Sequence, residues 1–98
     1  MSKRTPLTDA EVEDALASLP GWSFEQDRLR KTYTFKNFRE AVSFIVRMAF
    51  YAEELDHHPE LHNVYNRVTV SLSTHDAGNK VTGMDVSLAR AIEDFSWR

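Results

Sequence analysis

The sequence predicts an α+β fold in which three helices pack on one face of a four-stranded antiparallel sheet. Three apolar segments with helical spacing each follow a capping signal, at Thr8, Asn37 and Thr82. Two pairs of shorter segments between them alternate apolar and polar residues, which is typical of strands buried on one side. The elements therefore follow the order α-β-β-α-β-β-α in 98 residues, a chain length suited to one domain.

The first helix and the first hairpin are predicted between residues 8 and 35. Thr8-Asp9-Ala10-Glu11 has the spacing of a capping box, and Pro20-Gly21 ends the helix behind it. The apolar residues between these signals share one helix face: Val12, Ala15, Leu16 and Leu19. Two alternating segments flank a turn predicted at residues 26–28: Trp22–Glu25 and Leu29–Phe35.

The middle helix is predicted to start behind the capping box Asn37–Glu40 and to run to about Leu55. Its central part, Val42–Ala52, is apolar on nearly every side and is interrupted only by Ser43 and Arg47. A helix that is apolar all round must be covered all round, and one sheet covers only one of its faces. The other face is therefore expected to contact another subunit of a homo-oligomer.

The second hairpin and the last helix complete the predicted fold. His62–Asn66 and Arg67–Thr74 are interpreted as strands joined by a turn at Asn66-Arg67, and Asp76–Lys80 as a loop. Thr82–Asp85 forms a third capping box, with an aspartate in the place of the usual glutamate. The helix behind it presents one face to the core: Asp85, Leu88, Ala89, Ile92 and Phe95 or Ser96.

Composition excludes several classes of protein. The net charge is −3 with interspersed charges, which disfavours a nucleic-acid surface, and the absence of cysteine excludes disulfides. No apolar run resembles a secretory signal or a membrane span, so the protein is predicted to be cytoplasmic and without a membrane partner. Residues 1–7 are polar and are predicted to form a disordered N-terminus, which leaves 8–98 as a single domain.

Histidines and carboxylates cluster after the middle helix. Glu53 and His57 are four residues apart and share a face if the helix reaches them. His58 precedes Pro59, which disfavours further helix, so the adjacent histidines are expected to point in different directions. Carboxylates in the last turn of a helix oppose its dipole, and protonatable histidines are suitable partners for them. His75 is placed at the end of the last strand, a common position for functional groups.

The residues alone leave three interpretations open. The first is general acid–base catalysis by histidines that titrate near neutral pH. The second is a metal site with four ligands: Glu53, His57, His58 and His75. Adjacent histidines fold back on one ion with difficulty, so the spacing favours acid–base chemistry over metal binding. The third is an interaction module that uses its apolar helix. His62 is interpreted as a surface residue, and Asp85 has a strong interpretation as a capping acid.

The spacing Glu53-x-x-x-His57-His58-Pro59, followed by Tyr65, His75 and Asp85 at intervals of six, ten and ten residues, resembles the pterin-4a-carbinolamine dehydratases. Four shorter runs match the same family: Gly21-Trp22, Leu55–Glu60, Asn63–Asn66 and Leu72–His75. The resemblance covers roughly residues 8–95. It implies a hydro-lyase that eliminates water from a 4a-hydroxytetrahydropterin to give quinonoid dihydropterin, without a metal or organic cofactor.

The resemblance also implies roles for individual residues. Three histidines form the acid–base set: His57, His58 and His75. The residues implied to bind the substrate are Glu53, Asp56, Pro59, Thr74, Asp76, Ala77 and Asp85. The implied assembly is a homodimer or homotetramer. Leu61 and Met84 depart from the family, where many members have tryptophan and arginine. The alternative function is a pterin-binding or protein-dimerisation module without significant catalysis.

Overall fold

The computed structural model describes residues 5–95 of the chain. Its helices and strands follow the predicted order: α1 Asp9–Leu16, β1 Ser23–Glu25, β2 Arg28–Thr34, α2 Phe38–Leu55, β3 Glu60–Val64, β4 Arg67–Leu72 and α3 Gly83–Phe95. The sheet has the order β1-β2-β4-β3, and each neighbouring pair is antiparallel. The predicted α+β fold is therefore confirmed.

Alternation along the two central strands places the core on one face of the sheet. Leu29 pairs with Leu72 and Tyr33 pairs with Val68, and all four side chains are buried. Thr32 and Thr69 pair between them with side chains on the opposite face, where their hydroxyl oxygens lie 2.9 Å apart. The period of two in the sequence thus separates a helix-covered face from a polar face.

The helix α2 begins where the Asn37 side chain accepts a hydrogen bond from the Glu40 N–H, at 2.9 Å. Its buried residues recur every three or four positions: Ala41, Phe44, Met48 and Ala52. The Phe44 ring lies 4.9 Å from the rings of Tyr33 and Phe35, so this stripe packs on the buried face of the sheet.

The helix α3 buries the predicted face, including Leu88, Ile92 and Phe95, against the same core. Ser96, the alternative to Phe95 in that prediction, lies outside the described residues. The α1 capping box is present in full, since Thr8 Oγ1 accepts from the Glu11 N–H and Glu11 accepts from the Thr8 N–H. Leu19 is buried as expected but follows the end of α1.

Two connections differ from the sequence prediction. The second hairpin turns at Tyr65-Asn66, one residue earlier than predicted, because Val64 pairs with Arg67. Tyr65 there has a φ of 52°, a left-handed conformation that an aromatic side chain seldom adopts and that propensity would not suggest. The strand β4 ends at Leu72, and a single turn of 3₁₀-helix, His75–Ala77, replaces the start of the predicted loop.

The N-terminal segment contacts the turn before α3. Pro6 forms an isolated bridge with Thr82, and the Leu7 N–H donates to the Val81 carbonyl at 2.8 Å. These two residues are therefore held against the domain, while residues 1–4 lie outside the described part of the chain, where disorder stays a prediction. Within residues 5–95, no helix combines the length and apolar character needed to cross a bilayer.

Candidate active site

The end of α2 directs the adjacent histidines to opposite sides. Asp56 N–H donates to the Glu53 carbonyl at 3.1 Å, and His57 N–H donates to the Ala52 carbonyl at 3.0 Å. These two bonds form a Schellman motif around Asp56, whose φ of 52° is left-handed. The reversal turns His57 into the domain, where it is 6% exposed, whereas the side chain of His58 is 59% exposed.

The inward histidine contacts a buried carboxylate. His57 Nε2 lies 2.5 Å from Asp85 Oδ1, and Asp85 is fully buried at the start of α3. Asp85 Oδ2 accepts hydrogen bonds from Thr74 Oγ1 at 2.9 Å and from the Thr82 N–H at 2.8 Å. An ionised carboxylate only accepts hydrogen bonds, so with Asp85 ionised the donor in this contact is Nε2 of His57. The acceptor position of neutral His57 is then Nδ1.

Nδ1 of His57 has no hydrogen-bond partner among residues 5–95. In that part of the chain, every fully buried side-chain nitrogen or oxygen of a buried or half-buried residue has a partner, so Nδ1 is not fully buried. His57 is also one of the residues that line an open cavity. A ring with one nitrogen tied to a buried carboxylate and the other facing a cavity is suited to proton transfer.

Two more histidines border the same space. His58 Nε2 lies 2.6 Å from Glu53 Oε1, in a pair that is exposed to solvent. His75 opens the short 3₁₀-helix, and its Nδ1 lies 3.4 Å from Asn79 Oδ1. Thr74 and Lys80 form a bridge that closes this loop at its base. The loop thereby holds His75 beside the end of α2.

The cavity has a volume of about 280 Å³, just below the usual range for small-molecule sites. Six residues line it: Asp56, His57, His58, Ser73, His75 and Asp76. Five of them belong to the predicted set. Ser73 was not predicted, because its alternation with Thr69 and Ser71 suggested only a position on the polar face of the sheet. The sequence signal that could have identified Ser73 is its position directly before Thr74 and His75, which were predicted site residues.

The other predicted residues lie outside the cavity lining: Glu53, Pro59, Thr74, Ala77 and Asp85. Glu53 contacts the lining through His58. Thr74 and Asp85 are buried, and their side chains are connected to the cavity lining through His57, since Thr74 contacts Asp85 and Asp85 contacts that ring. Among residues 5–95, no group of three or more histidine, aspartate or glutamate side chains is arranged to hold a metal ion.

The fold and the site define a small α+β domain with a cavity lined by three histidines and two aspartates. Residues 5–95 match the family model described as pterin 4 alpha carbinolamine dehydratase. The chain therefore belongs to that family.

Individual relatives cover nearly the whole chain. A protein of Opitutus terrae, provisionally named pterin-4-alpha-carbinolamine dehydratase, is 60% identical over 93 residues, which are 95% of this chain and 96% of the relative. A relative from Rhizobium rhizogenes with the same provisional name is 48% identical over 98 residues, and the match covers 98% of this chain and 96% of the relative. The crystal structure of a transcriptional coactivator/pterin dehydratase from Brucella melitensis is similar, with a TM-score of 0.87, 41% identity, and coverage of 92% of this chain and 97% of that chain.

Proposed function

We propose that the protein is a hydro-lyase that converts a 4a-hydroxytetrahydropterin to quinonoid dihydropterin and water. Family membership over residues 5–95 supports the dehydratase activity. The observation that carries the mechanism is the convergence of His57, His58 and His75 on one cavity. These three side chains come from two separate parts of the chain, and only the fold brings them together.

The reaction needs two proton transfers. One proton must reach the hydroxyl oxygen, because hydroxide is a poor leaving group, and one must leave the pterin ring nitrogen. The carbon–oxygen bond then breaks, water departs, and the electron pair from the nitrogen forms the new double bond to carbon. The cavity offers several imidazole groups for these transfers, and imidazole changes its charge in the physiological pH range.

The contacts of each histidine suggest its part in the reaction. His57 accepts the proton from the ring nitrogen at Nδ1, and Asp85 stabilises the imidazolium that forms. His58 and His75 are exposed and border the cavity, so either can deliver a proton to the leaving hydroxyl group. Asp56 and Asp76 supply acceptors for the N–H groups of a pterin ring.

Histidine variants test this assignment. His57→Ala and His75→Ala should each lower kcat/KM by roughly 100-fold or more, the usual scale for acid–base groups. The measurement is the ultraviolet change on dehydration of enzymatically generated 4a-hydroxytetrahydropterin. His62→Ala is the matched control and should keep the wild-type rate, since His62 lies on β3 opposite Thr69, away from the cavity.

Three results would contradict the proposal. Equal losses at His57, His75 and His62 would mean that the substitutions act through the fold. Activity that is lost in EDTA and restored by one metal ion would favour the metal-site interpretation, whereas the acid–base mechanism predicts full activity after chelation. Pterin binding without turnover would favour the alternative of a binding or dimerisation module.

We also infer that a second copy of the chain covers the exposed face of α2. Four apolar residues at intervals of four form a stripe on that face: Phe38, Val42, Val46 and Phe50. Phe50 is 73% exposed, Phe38 51% and Val46 50%. A continuous apolar stripe of this kind is unusual on a monomer. A two-fold axis would place the stripe of one copy against the same stripe of a second copy, which buries both stripes without any other partner.

A further inference from the structure

A chain of hydrogen bonds leads from the first turn of α3 to His57. Thr82 Oγ1 accepts from the Met84 N–H at 3.2 Å and lies 2.6 Å from Thr74 Oγ1. Thr74 Oγ1 donates to Asp85 Oδ2, and Asp85 Oδ1 contacts His57 Nε2. Thr74, Thr82 and Asp85 are at most 1% exposed, so solvent does not compete for these bonds.

The donor and the acceptor in each of these hydrogen bonds follow from the number of hydroxyl protons available. The Thr74 hydroxyl has one proton, which it donates to Asp85. In the pair between the two threonines, Thr82 must therefore be the donor and Thr74 the acceptor. Thr82 Oγ1 accepts from the Met84 N–H at the same time, so each of the two threonine hydroxyl groups accepts one hydrogen bond and donates one. If either hydroxyl group alone turned the other way, its proton would face another donor and the acceptor that it now serves would lose its bond.

We propose that Thr82 is a positioning residue for His57. The Thr82 hydroxyl group orients the hydroxyl group of Thr74. The Thr74 hydroxyl and the Thr82 N–H together hold the Asp85 carboxylate. Asp85 in turn holds the His57 ring in the form that is protonated at Nε2, with Nδ1 toward the cavity. Bonds in such a chain polarise one another, so the loss of the first donor weakens those that follow. The catalytic consequence rests on the role of His57 proposed above, while the positioning itself does not.

Thr82 also caps α3, and the two roles predict different results. A residue that only caps α3 affects helix stability and leaves the His57 ring of the folded protein unchanged. The experiment compares Thr82→Val with Thr82→Ser, which keeps the hydroxyl group. Thr69→Val is the matched control, because Thr69 also shares a hydroxyl contact with a threonine across the sheet but lies on the polar face.

The main readout is the pair of ¹⁵N ring resonances of His57 in histidine-labelled protein, together with the exchange rate of its Nε2 proton. Thr82→Val should shift both resonances and speed the exchange, whereas Thr82→Ser and Thr69→Val should retain the wild-type values. The kcat of Thr82→Val should fall about threefold or more with little change in KM, since the chain acts on proton transfer. If Thr82→Val does not fold, Thr82→Ala removes the hydroxyl without placing a methyl group against Thr74.

The outcomes separate the two proposals. Wild-type His57 resonances in a folded Thr82→Val protein would overturn the positioning role, as would equal shifts in Thr69→Val or a lack of rescue by serine. Shifted resonances with unchanged kcat would support the positioning of His57 and count against its role in the reaction. The resonances need no substrate, so this result does not depend on dehydratase activity.

Discussion

Asp56 has the left-handed backbone conformation in which glycine is the usual residue at the end of a helix. Its φ of 52° and ψ of 44° are left-handed, which costs a residue with a Cβ about 1 kcal/mol, somewhat less for aspartate and asparagine. A glycine would avoid this cost but would lack a carboxylate, and the Asp56 side chain lines the cavity. The residue thus combines a turn that separates two histidines with an acceptor at the candidate site.

Substitutions at Asp56 should separate stability from activity. Asp56→Ala should have a free energy of unfolding about 1 kcal/mol below that of Asp56→Gly, because alanine, unlike glycine, is strained in this conformation. Asp56→Gly should stay within about 0.5 kcal/mol of the wild type. Both variants lose the carboxylate, so both should lower kcat/KM. Chemical denaturation and the dehydration assay measure the two effects. Equal stability of the two variants would contradict the backbone argument, and full activity of Asp56→Gly would contradict a role of the carboxylate.

Asp85 shows how far the site could be predicted from single residues. Its position three residues after Thr82 predicted a capping acid, and the resemblance to the pterin-4a-carbinolamine dehydratases implied a site residue. Both interpretations describe the same carboxylate, since Oδ2 accepts from the Thr82 N–H while Oδ1 contacts His57. The contact to His57 joins residues 28 positions apart, which no local pattern reports. Thr82 was predicted only as a cap, because its contact with Thr74 joins two different parts of the fold.

At the scale of elements, a cluster around Glu93 joins α3 to the first hairpin. Glu93 Oε2 accepts from Lys31 Nζ at 2.7 Å, from Trp22 Nε1 at 3.2 Å and from the Tyr33 hydroxyl. Lys31 Nζ also donates to the Pro20 carbonyl at 2.7 Å, behind α1. Burial raises the pKa of the Glu93 carboxyl, but the hydrogen bonds from Lys31 and Tyr33 and the charge of Lys31 outweigh it and hold the pKa below its ordinary value of 4.5.

This cluster predicts a loss of stability in acid. A carboxyl group with a lowered pKa in the folded state stabilises the fold fully above its unfolded pKa, and that contribution disappears as the pH falls through the folded pKa. Glu93→Gln should therefore lower the free energy of unfolding by about 1 kcal/mol at pH 7 and have a smaller effect below pH 4. Denaturation midpoints at several pH values provide the measurement. An effect of the same size at pH 7 and pH 3 would exclude this explanation.

The two hairpins show how accurately the positions of turns could be predicted from the sequence. The first turn was placed close to its observed position, since Gln26 and Asp27 both have positive φ and polar side chains suited to a turn. The second turn was placed one residue too late, because asparagine favours the left-handed conformation that Tyr65 adopts. The pairing of Val64 with Arg67 determines the position of that turn. Such pairing depends on both β3 and β4, so the residues of the turn alone do not predict it.

At the scale of the whole molecule, lysine substitutions on α2 should distinguish assembly from folding. Phe50→Lys and Val46→Lys place a charge on the exposed stripe, so they should yield a folded monomer. Phe44→Lys places a charge in the core of the protomer, where Phe44 is 0% exposed, and should unfold it. Light scattering at micromolar concentration gives the mass, and circular dichroism reports folding. A wild-type monomer, or an unchanged oligomer in both surface variants, would contradict association through this stripe.

The position of Asp85 on α3 also has a consequence for biosynthesis. The cavity lining includes His57 from the end of α2, and the ring of His57 contacts a carboxylate on α3, the last helix within residues 5–95. Synthesis proceeds from the N-terminus, and domains generally fold as units. The ribosome must therefore release α3 from its exit tunnel before His57 can be held in place. A nascent chain that stops short of α3 contains every cavity-lining residue but lacks the carboxylate that contacts His57.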